Sequence, residues 1–574
     1  MTSLIKSLAL KNFKGFSDEV RIELRPITLL FGANSAGKSS VLQALQYVRE
    51  ILDRNNVNAD RTAQGGEAID LGGFINLVHG RNVERQIEIE VEMALGDNSI
   101  PELVPDAFED WQTQEEGVWN FYNSLQEIRK KVERVSLRLT VGWNSLRDEP
   151  IVLGYEVGTN GAWCIRLEAS GDGRDTSMRM NRENPIFITE AIDTGALLDE
   201  LTGWVSSKDL EAEGTQERAE APTQVPGDPV RETGVPMIQR SILPDLLYAV
   251  REAGLERPGK GLRAWLTGFN GALPRLGEML YIPAPDAKGA DNIYIAREFT
   301  AFLSWLTIGP AMLLREQLRQ LRYLGPLRRI PPRGFEVSLT KSEAAWSDGM
   351  AAWESLMTGP QSLVDACSEW ISATDRLGTG YSLARRQLQE FDLSPPEPSA
   401  VGRPRPRISL TDSAGLTHQA QDIGVGISQV LPVVVAAQDG NASIVCIEQP
   451  ELHVHPAVQV GLGDLFIDGA MSKGLSFLIE THSEHLVMRL QRRLRETASG
   501  ELSERLPRVD PDSVSLLYLG RSDTGAVIAT PIGLTDQGKF DSAWPDGFFP
   551  ERTVEVLPAK AREQLQLARQ ARKS

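Results

Sequence analysis

The sequence predicts an α/β fold: a mixed sheet with flanking helices, an antiparallel β subdomain and a large, mainly helical insertion. Three observations predict this fold class. At residues 29–40 an apolar strand enters a glycine-rich loop that leads into a helix. At 3–10, 20–24 and 85–93 apolar and polar residues alternate, which indicates half-buried strands. At 443–447 and 475–480 short apolar runs end in polar residues, as buried parallel strands do.

The composition is that of a globular chain: of its 574 residues, 41% are hydrophobic and 24% are charged. A chain of this length can bury large cores, so we expect several domains or one domain with large insertions. No apolar run approaches the ~20 residues of a membrane span, and the N-terminus lacks the apolar core of a signal peptide. We therefore expect a cytoplasmic location and no membrane partner.

Charge and cysteine usage narrow the classes of partner and site. The formal net charge of -18 argues against wrapping nucleic acid over the whole surface, although a local basic groove stays open. The three cysteines, Cys164, Cys367 and Cys446, are too few and too scattered for a disulfide framework or a four-cysteine zinc site. We interpret them as ordinary buried thiols.

The glycine-rich loop has the residues of a P-loop. Gly32 and Gly37 let backbone N–H groups converge on phosphate oxygens. Lys38 reaches the β- and γ-phosphates, and the Ser39 hydroxyl completes the shell of a Mg²⁺ ion. The helix predicted at 39–50 points its positive N-terminal end at the same anion. The predicted phosphate-binding residues are Gly32, Asn34, Ser35, Ala36, Gly37, Lys38, Ser39 and Ser40.

Strands precede and follow the P-loop. The runs at 3–10 and 20–24 alternate, with turn-forming residues between them, and predict a hairpin that leads into the P-loop strand. The run at 85–93 alternates strongly. An antiparallel sheet beside the nucleotide core is the simplest arrangement, and its further strands are predicted at 135–141, 151–157 and about 163–167.

The middle of the chain changes character. The stretch at 211–236 is rich in proline and carboxylates and poor in aliphatic residues, so we predict a mobile loop. Helical periodicity follows at 236–256 and 297–323, but neither segment sustains heptads, which excludes a long coiled-coil arm. Basic loops are predicted at 323–333 and 403–407, and they leave direct binding of nucleic acid open.

A strand near the C-terminus supplies the predicted metal-binding carboxylate. The buried run at 443–447 ends at Glu448, which is where Walker B residues bind the hydration shell of the metal. Gln449 follows Glu448 directly, and Glu451 lies two residues after Gln449. Because a P-loop by itself does not distinguish a kinase, a GTPase and an ATPase, these partner motifs decide the class.

Two more motifs flank this strand. Upstream, a glycine-rich turn at 422–429 enters an apolar helix at 430–437. Downstream, the strand at 475–480 is followed by Thr481, His482 and Ser483. Each of these motifs also occurs as a plain helix entry or a structural histidine, so the order of all of them after a P-loop is the informative feature.

This order resembles the ATP-binding-cassette ATPases, in the branch with chromosome-maintenance, recombination-repair and overcoming-lysogenization-defect proteins. The resemblance covers about 1–95 and 405–545. In it, Gly32 to Ser39 correspond to Walker A and Glu448 to Walker B. The remaining matches are Gly426, Ser428 and Gln429 to the signature, 453–456 to the D-loop and His482 to the switch histidine.

The resemblance implies a composite site with ATP and Mg²⁺ as cofactors, and Ser39 and Glu448 as metal-binding residues. In the family two heads bind face to face around ATP, which implies an ATP-dependent homo-oligomer. Ser428 of one subunit, at a predicted helix N-terminus, would then meet the γ-phosphate held by Lys38 of the other.

The sequence departs from the family pattern at two positions. Walker B ends in Glu448 rather than aspartate, and Gln449 occupies the position of the usual catalytic glutamate. A glutamine can orient water but cannot accept its proton, whereas Glu451 could act as the base. The predicted catalytic set is therefore Glu448, Gln449, Glu451 and His482, with hydrolysis that is slow or dependent on a partner.

Within this branch the chain resembles stand-alone ATPases of bacterial anti-phage defence, such as the ATPase subunit of Septu-type systems. The motifs at 448–456, 481–486 and 544–549 underlie this resemblance. It implies that the ATPase regulates a separate effector, such as an HNH-type nuclease, because Asp510 and Asp512 lack the acidic partners of a fused metal nuclease. Two alternatives stay open: a DNA-repair or recombination ATPase that binds DNA directly, and a non-hydrolysing ATP-dependent scaffold.

Five segments are predicted from these motifs and from the changes in composition. They are an N-terminal ATPase lobe with Walker A and the antiparallel β subdomain at 1–170, an insertion with the acidic loop and helices at 171–335, a helical bridging segment at 336–400, a C-terminal ATPase lobe with the signature, Walker B, D-loop and switch histidine at 401–545, and a tail helix at 546–574.

Overall fold

A computed structural model describes most of the chain. The acidic loop predicted at 211–236 and the tail helix predicted at 546–574 lie outside the described residues. The described ranges are 3–55, 57–58, 66, 68–103, 116–173, 176–181, 183–193, 237–241, 256–257, 261–262, 271–280, 290–337, 344–394, 397–523 and 525–545.

Ten α-helices and twenty strands are described. The helices are α1 Lys38–Arg54, α2 Gly73–Leu77, α3 Glu116–Lys131, α4 Ala290–Arg319, α5 Ala344–Ser347, α6 Met350–Thr358, α7 Gln361–Ser372, α8 Val425–Gln438, α9 Pro456–Lys473 and α10 Glu484–Ser499. The strands are β1 Ile5–Lys11, β2 Val20–Glu23, β3 Ile27–Gly32, β4 Ile87–Ala94, β5 Arg134–Asn144, β6 Glu149–Thr159, β7 Ala162–Ala169, β8 Thr176–Met180, β9 Ile188–Asp193, β10 Met237–Ser241, β11 Glu256–Arg257, β12 Gly261–Leu262, β13 Leu321–Leu324, β14 Tyr381–Asp392, β15 Ser399–Asp412, β16 Thr417–His418, β17 Ile444–Glu448, β18 Ser476–Glu480, β19 Val514–Arg521 and β20 Val527–Ile532.

The chain divides into two compact units. The first contains Met1–Met93, Leu139–Leu153 and Met312–Ser574, and the second contains Ala94–Arg138 and Gly154–Ala311. Every residue that the sequence assigned to the nucleotide site belongs to the first unit, so the site can be described within that unit.

A six-stranded mixed sheet forms the centre of the first unit. Its strand order is β13-β17-β18-β3-β19-β20, and every neighbouring pair is parallel except β19 with β20. Strands such as β3 and β17 are buried almost throughout, which explains their continuous apolar sequences. The mixed α/β class predicted from the sequence is confirmed. One consequence governs the site: β18, and not the Walker B strand β17, lies directly beside the P-loop strand β3.

Helices cover this sheet. α8, which is apolar around almost its whole circumference, contributes Val430, Leu431, Val433 and other fully buried residues to one apolar cluster. The same cluster includes Trp353 of α6, which is 1% exposed. This packing fixes the position of α8, whose N-terminus belongs to the candidate site.

The antiparallel subdomain begins with the predicted hairpin. β1 pairs with β2 and with β4, so the strands predicted at 3–10, 20–24 and 85–93 are confirmed. On one face, the guanidinium of Arg21 on β2 forms ion pairs with Glu90 and Glu92 of β4 at 2.6 and 3.0 Å. β5, β6 and β7 lie where the sequence predicted strands.

The second unit contains helix and strand. β6 pairs with β7 and β7 with β8, all antiparallel. β9 pairs with β10, so residues 237–241 form a strand where the sequence predicted a helix at 236–256.

The helix predicted at 297–323 is α4, which ends at Arg319, and Leu321 begins β13. The local periodicity indicated a longer helix because the strand residues are equally apolar.

The segment at 336–400 is only partly helical. It contains α5, α6 and α7, followed by β14 and the start of β15. The stretch at 403–407, predicted as a basic loop, lies inside β15, where Arg405 pairs with Leu388 and Pro406 with Gln387 of β14. Among the described strands, β16 pairs with β15 further along, at Leu410 and Thr411, so the prolines lie on a stretch where a missing N–H is tolerated.

No helix in the described part of the chain combines the length and the apolar character needed to cross a bilayer.

A substitution of Gly32, at the end of β3, measures how tightly the loop is packed. The φ of Gly32 is +138°, and an added Cβ would lie 2.1 Å from the carbonyl oxygen of Leu519 on β19. Since this contact is with backbone, we expect Gly32→Ala to lower the free energy of unfolding by at least about 2 kcal/mol. Urea unfolding followed by circular dichroism measures the change.

Gly525→Ala is the matched control for that experiment. Gly525 also has a positive φ, +83°, but an added Cβ would meet nothing within 4 Å. The control should therefore show only the backbone strain, about 1 kcal/mol. Equal losses in the two variants would contradict the predicted close packing of Gly32 against β19.

Candidate functional site

The P-loop connects β3 to α1 through residues with unusual backbone angles. Ser35 and Gly37 have φ of 62° and 100°, and Gly37 occupies the N-cap of α1 without a side-chain capping bond. Ala33, Asn34 and Ser35 are exposed, whereas Ala36 and Lys38 are buried. The first N–H groups of α1 and the turn before it therefore border an accessible loop, which is the arrangement that binds phosphate.

The ammonium group of Lys38 is folded back onto its own loop. Its Nζ donates hydrogen bonds to the carbonyl oxygens of Gly32 and Ala33, each at 3.0 Å. It also lies 3.8 Å from Oε1 of Glu480, and the side chain is 3% exposed. Burial lowers the pKa of Lys38, while the nearby carboxylates Glu480, Glu451 and Glu448 raise it. The predicted phosphate-binding lysine thus lies near three carboxylates, of which Glu448 and Glu480 are buried.

Ser39, the predicted magnesium ligand, contacts a carboxylate that the sequence analysis missed. Its Oγ donates to Oε2 of Glu480 at 2.6 Å. Glu480 ends β18, and its backbone pairs with Leu30 of β3 on one side and Glu448 of β17 on the other. The signal was present, because the argument that selected Glu448, a carboxylate at the end of a buried strand, applies equally to Glu480.

Glu448 lies one strand further from the P-loop. The Tyr323 hydroxyl, on β13, donates a hydrogen bond to Oε1 of Glu448. Burial raises the pKa of Glu448 and the Glu480 charge raises it further, whereas the Tyr323 hydrogen bond and the charges of Arg328 and Lys14 lower it. Burial also raises the pKa of Tyr323 well above its usual value, so the phenol keeps its proton and remains a donor.

Gln449 and Glu451 hold the turn after β17 against the turn after β18. The backbone N–H of Gln449, whose φ is 44°, donates to the carbonyl oxygen of Glu480 at 2.8 Å. The two carboxylate oxygens of Glu451 accept from the hydroxyl of Thr481 at 2.8 Å and from the N–H of His482 at 2.6 Å. Burial raises the pKa of Glu451. Glu451 therefore sets the position of His482 in this structure.

His482 is exposed and close to the P-loop lysine. Burial of part of the ring lowers the pKa of His482, and the charge of Lys38 lowers it further. The imidazole is accordingly neutral at pH 7. The structure thus brings Lys38, Ser39, Glu448, Glu451 and His482 to one edge of the sheet.

The signature residues lie in a helix that begins earlier than predicted. α8 starts at Val425, not at 430, and its residues are buried continuously from Ser428 to Ala437. Ser428 is 0% exposed, and its hydroxyl donates to the carbonyl oxygen of Val425 at 2.8 Å. Ser428 is therefore one turn inside the helix, and Val425, 50% exposed, presents the N-terminus.

Gly426 and Gln429 have packing partners within the unit. An added Cβ at Gly426 would lie 2.8 Å from the carbonyl oxygen of His453, so this glycine permits close contact between α8 and the turn at 453–456. The side-chain amide of Gln429 accepts from the N–H of Arg328 at 3.1 Å and donates to its carbonyl oxygen at 2.5 Å. The position of α8 is thereby fixed on two sides.

The position of Arg328 differs from the one that the sequence predicts. Arg328 was predicted in a basic loop with access to phosphate, but it is 3% exposed. Its guanidinium donates to the carbonyl oxygen of Glu448 at 2.7 Å. Burial lowers the pKa of Arg328 to about 10, and the carboxylates of Glu451 and Glu448 oppose that shift. Arg328 thus supplies positive charge beneath the acidic residues.

The oxygen donors at this edge suit Mg²⁺. A serine hydroxyl and one or two carboxylates are the ligands that Mg²⁺ takes from proteins when phosphates and water complete its shell. Ser39 and Glu480 provide such a pair beside the P-loop, with Glu448 on the next strand. Within the described residues no group of three or more histidine, cysteine, aspartate or glutamate side chains could hold a metal alone.

Two family models match the chain, one on each part of this site. Residues 4–142 match the family described as "AAA ATPase domain". Residues 322–489 match "AAA domain, putative AbiEii toxin, Type IV TA system". The first match contains the P-loop, and the second contains Glu448 and Glu480. Both parts of the candidate site therefore lie in regions that match models of AAA-type ATPase domains.

Comparisons with other proteins are less specific. No curated protein matches the sequence. Solved structures of chromosome-maintenance (SMC) heads show a weak likeness, and each comparison covers 92% of this chain. An SMC head bound to the C-winged helix domain of ScpA is 13% identical, with 98% of that chain covered and a TM-score of 0.34, and an SMC head from Thermotoga maritima is 9% identical, with 99% covered and a TM-score of 0.31. An SMC head with an extended coiled coil, bound to the C-terminal domain of ScpA from Pyrococcus furiosus, is 11% identical, with 96% covered and a TM-score of 0.33. TM-scores this low establish neither a shared fold nor a shared function.

Proposed function

We propose that the protein binds ATP with Mg²⁺ and hydrolyses it slowly. The observation that supports this most directly is the convergence of Lys38 and Ser39 on Glu480, beside Glu448, at the carboxyl edge of the central sheet. A P-loop lysine and serine next to buried carboxylates are what binding of a triphosphate and its metal requires.

The chain's own residues divide the work of binding. The N–H groups of the loop and of the start of α1 bind phosphate oxygens. Lys38 exchanges its bonds to the carbonyl oxygens of Gly32 and Ala33 for bonds to the β- and γ-phosphates. Ser39 would hold the metal through its hydroxyl oxygen, and the metal would supply positive charge to the phosphates.

Slow hydrolysis follows from the residues beside the predicted attack site. Gln449 has no carboxylate and can only orient water, and its backbone is held by Glu480. Glu451 has a carboxylate, but both of its oxygens accept hydrogen bonds from the turn at 481–482. Neither residue is a preorganised base in this structure, so turnover depends on a rearrangement that frees Glu451.

The binding of ATP is tested at Lys38. Lys38→Ala removes the only side-chain cation of the P-loop, so we expect affinity for a fluorescent ATP analogue to fall about 100-fold or more. Fluorescence titration in the presence of Mg²⁺ measures this.

Lys11→Ala is the control for that variant. Lys11 forms a partly exposed ion pair with Glu88 between β1 and β4. The Lys11→Ala variant should have the same affinity for the ATP analogue as the parent. Circular dichroism should show that both variants are folded. Equal affinity of the Lys38 variant and the parent would rule out ATP binding by this loop.

The base of hydrolysis is tested by single-turnover kinetics. If Glu451 accepts the proton, Glu451→Gln should slow hydrolysis by roughly 10²- to 10⁴-fold with nucleotide affinity nearly kept. If orientation of water by Gln449 limits the rate, Gln449→Glu should accelerate it, because the new carboxylate is a base at the usual position. Rapid turnover in Glu451→Ala would show that Glu451 is not the base, and no turnover in the parent would favour a scaffold.

We further infer an ATP-dependent homo-oligomer in which the N-terminus of α8 faces the γ-phosphate of a second copy. The exposed first residue of α8, Val425, and the positive end of the helix dipole support this arrangement. Because Ser428 is buried and bonded within its helix, it is the backbone of 425–427 that this arrangement requires.

Val425→Glu tests the association. A glutamate at the first position of a helix favours that helix, so the fold is kept, but its charge repels an incoming γ-phosphate. We expect ATP-induced dimerisation, measured by multi-angle light scattering, to weaken about tenfold or more. Val425→Gln, without the charge, should retain it, and identical association of both variants would contradict the model.

The cellular role that we propose is regulation of a separate effector, such as an HNH-type nuclease, in bacterial anti-phage defence, with the protein in the cytoplasm. The motifs at 448–456 and 481–486 support it through the family resemblance. For the alternative of direct DNA binding, the hairpin of β14 and β15 gives limited support, since Arg405 pairs with Glu336 and Glu390, and Arg407 donates to the carbonyl oxygen of Phe335. The gene adjacent to this one would identify the effector.

A further inference from the structure

We infer that Glu480 is the carboxylate that holds the magnesium ion of bound ATP together with Ser39, in place of Glu448. This inference rests on the proposed function, because it assigns a residue to the metal of the same nucleotide site. Four observations on β18 and its neighbours lead to it.

The first observation is the order of the strands. β18 lies directly between β3 and β17, and Glu480 pairs in register with Leu30, two residues before the P-loop begins at Gly32. Neighbouring strands are about 4.8 Å apart, so Glu448, on β17, lies about 10 Å from β3. A carboxylate on β18 needs only its own side-chain length to reach the start of α1.

The second observation is the contact itself. Oε2 of Glu480 accepts from Oγ of Ser39 at 2.6 Å, which places a carboxylate against the very oxygen that binds the metal in a P-loop. Ser39 and Glu480 would therefore both be able to hold one Mg²⁺ ion through oxygen, the ligand atom that Mg²⁺ prefers.

The third observation is the balance of charge. Glu480 is 6% exposed, and a buried carboxylate is costly unless a cation or hydrogen-bond donors compensate it. In this structure Lys38 at 3.8 Å and the Ser39 hydroxyl compensate Glu480. ATP takes both of them away, since Lys38 moves to phosphate and Ser39 offers its oxygen to the metal. A Mg²⁺ ion between Ser39 and Glu480 restores the balance, whereas a triphosphate without metal would leave its negative charge beside a buried anion.

The fourth observation concerns Glu448. The Tyr323 hydroxyl donates to its Oε1, and the guanidinium of Arg328 holds its backbone carbonyl at 2.7 Å. These contacts tie Glu448 to β13 and to the interior of the sheet. Its role is therefore in the outer shell, where its charge acts on metal-bound water at a distance.

The test separates metal-dependent from metal-independent binding of nucleotide. Affinity for a fluorescent ATP analogue is measured with Mg²⁺ and with EDTA in the parent, Glu480→Gln and Glu448→Gln. The parent should bind more tightly with Mg²⁺. In Glu480→Gln the ratio of the affinity with Mg²⁺ to the affinity in EDTA should fall about tenfold or more. The affinity in EDTA should be kept or improved, because the change removes negative charge next to the phosphates. Glu448→Gln should keep most of the gain.

Glu480→Asp and a Mg²⁺ titration at saturating nucleotide complete the test. The aspartate keeps the charge on a shorter side chain, so its half-saturating Mg²⁺ concentration should lie between those of the parent and Glu480→Gln. If Glu480→Gln does not fold, the test is whether the half-saturating Mg²⁺ concentration of Glu480→Asp is higher than that of the parent. The charge and burial of Glu480→Asp match those of the parent most closely.

Three results would overturn the inference. The first is that Mg²⁺ increases the nucleotide affinity of Glu480→Gln as much as that of the parent. The second is that this increase is lost in Glu448→Gln instead. The third is that Glu480→Gln binds nucleotide equally more weakly in Mg²⁺ and in EDTA, which is what a purely structural role predicts. In all three the parent still binds ATP, and the proposed function stands. Failure of the parent to bind ATP at all would overturn both.

Discussion

The parallel pairing of β3, β18 and β17 is the constraint on which the rest of the site depends. Leu30 pairs with Glu480, and Glu480 pairs with Glu448, so three carboxyl ends of strands meet at one edge. Backbone hydrogen bonds continue this register beyond the strands, from the N–H of Thr481 to the carbonyl oxygen of Leu30 at 3.1 Å. A slip of one residue would turn both carboxylates to the other face of the sheet and separate Ser39 from its partner.

Bringing these strand ends together concentrates buried charge. Glu448, Glu451 and Glu480 lie near one another, and Lys38 and Arg328 compensate them from the two sides. Burial of a charge without a partner costs several kcal/mol, so the opposite charges in the site compensate one another. A ligand that brings both phosphates and a divalent cation would replace these contacts with contacts to phosphate and metal. If ATP binds here as we propose, its binding is coupled to the arrangement of the site, and we expect it to stabilise the fold.

The two turns after β17 and β18 transmit that coupling. Glu451 binds the turn at 481–482 through both of its oxygens, and Gly426 packs α8 against the turn at 453–456. The Glu451 side chain and the backbone packing at Gly426 therefore connect the turn after β17 with His482 and with the N-terminus of α8. This arrangement connects the occupancy of the nucleotide site to the surface that we propose for association.

The sequence by itself determined the local elements and most of the site. The P-loop, the strand ending at Glu448 and the following strand up to Thr481 were predictable because strand periodicity, glycine spacing and helix entry depend on neighbours in the chain. The assignment of Glu480 to the P-loop serine, the burial of Arg328 and the bond from Tyr323 to Glu448 were decided by tertiary structure alone. Their partners lie 120 or more residues apart in the sequence, and only the order of strands in the sheet brings them into contact.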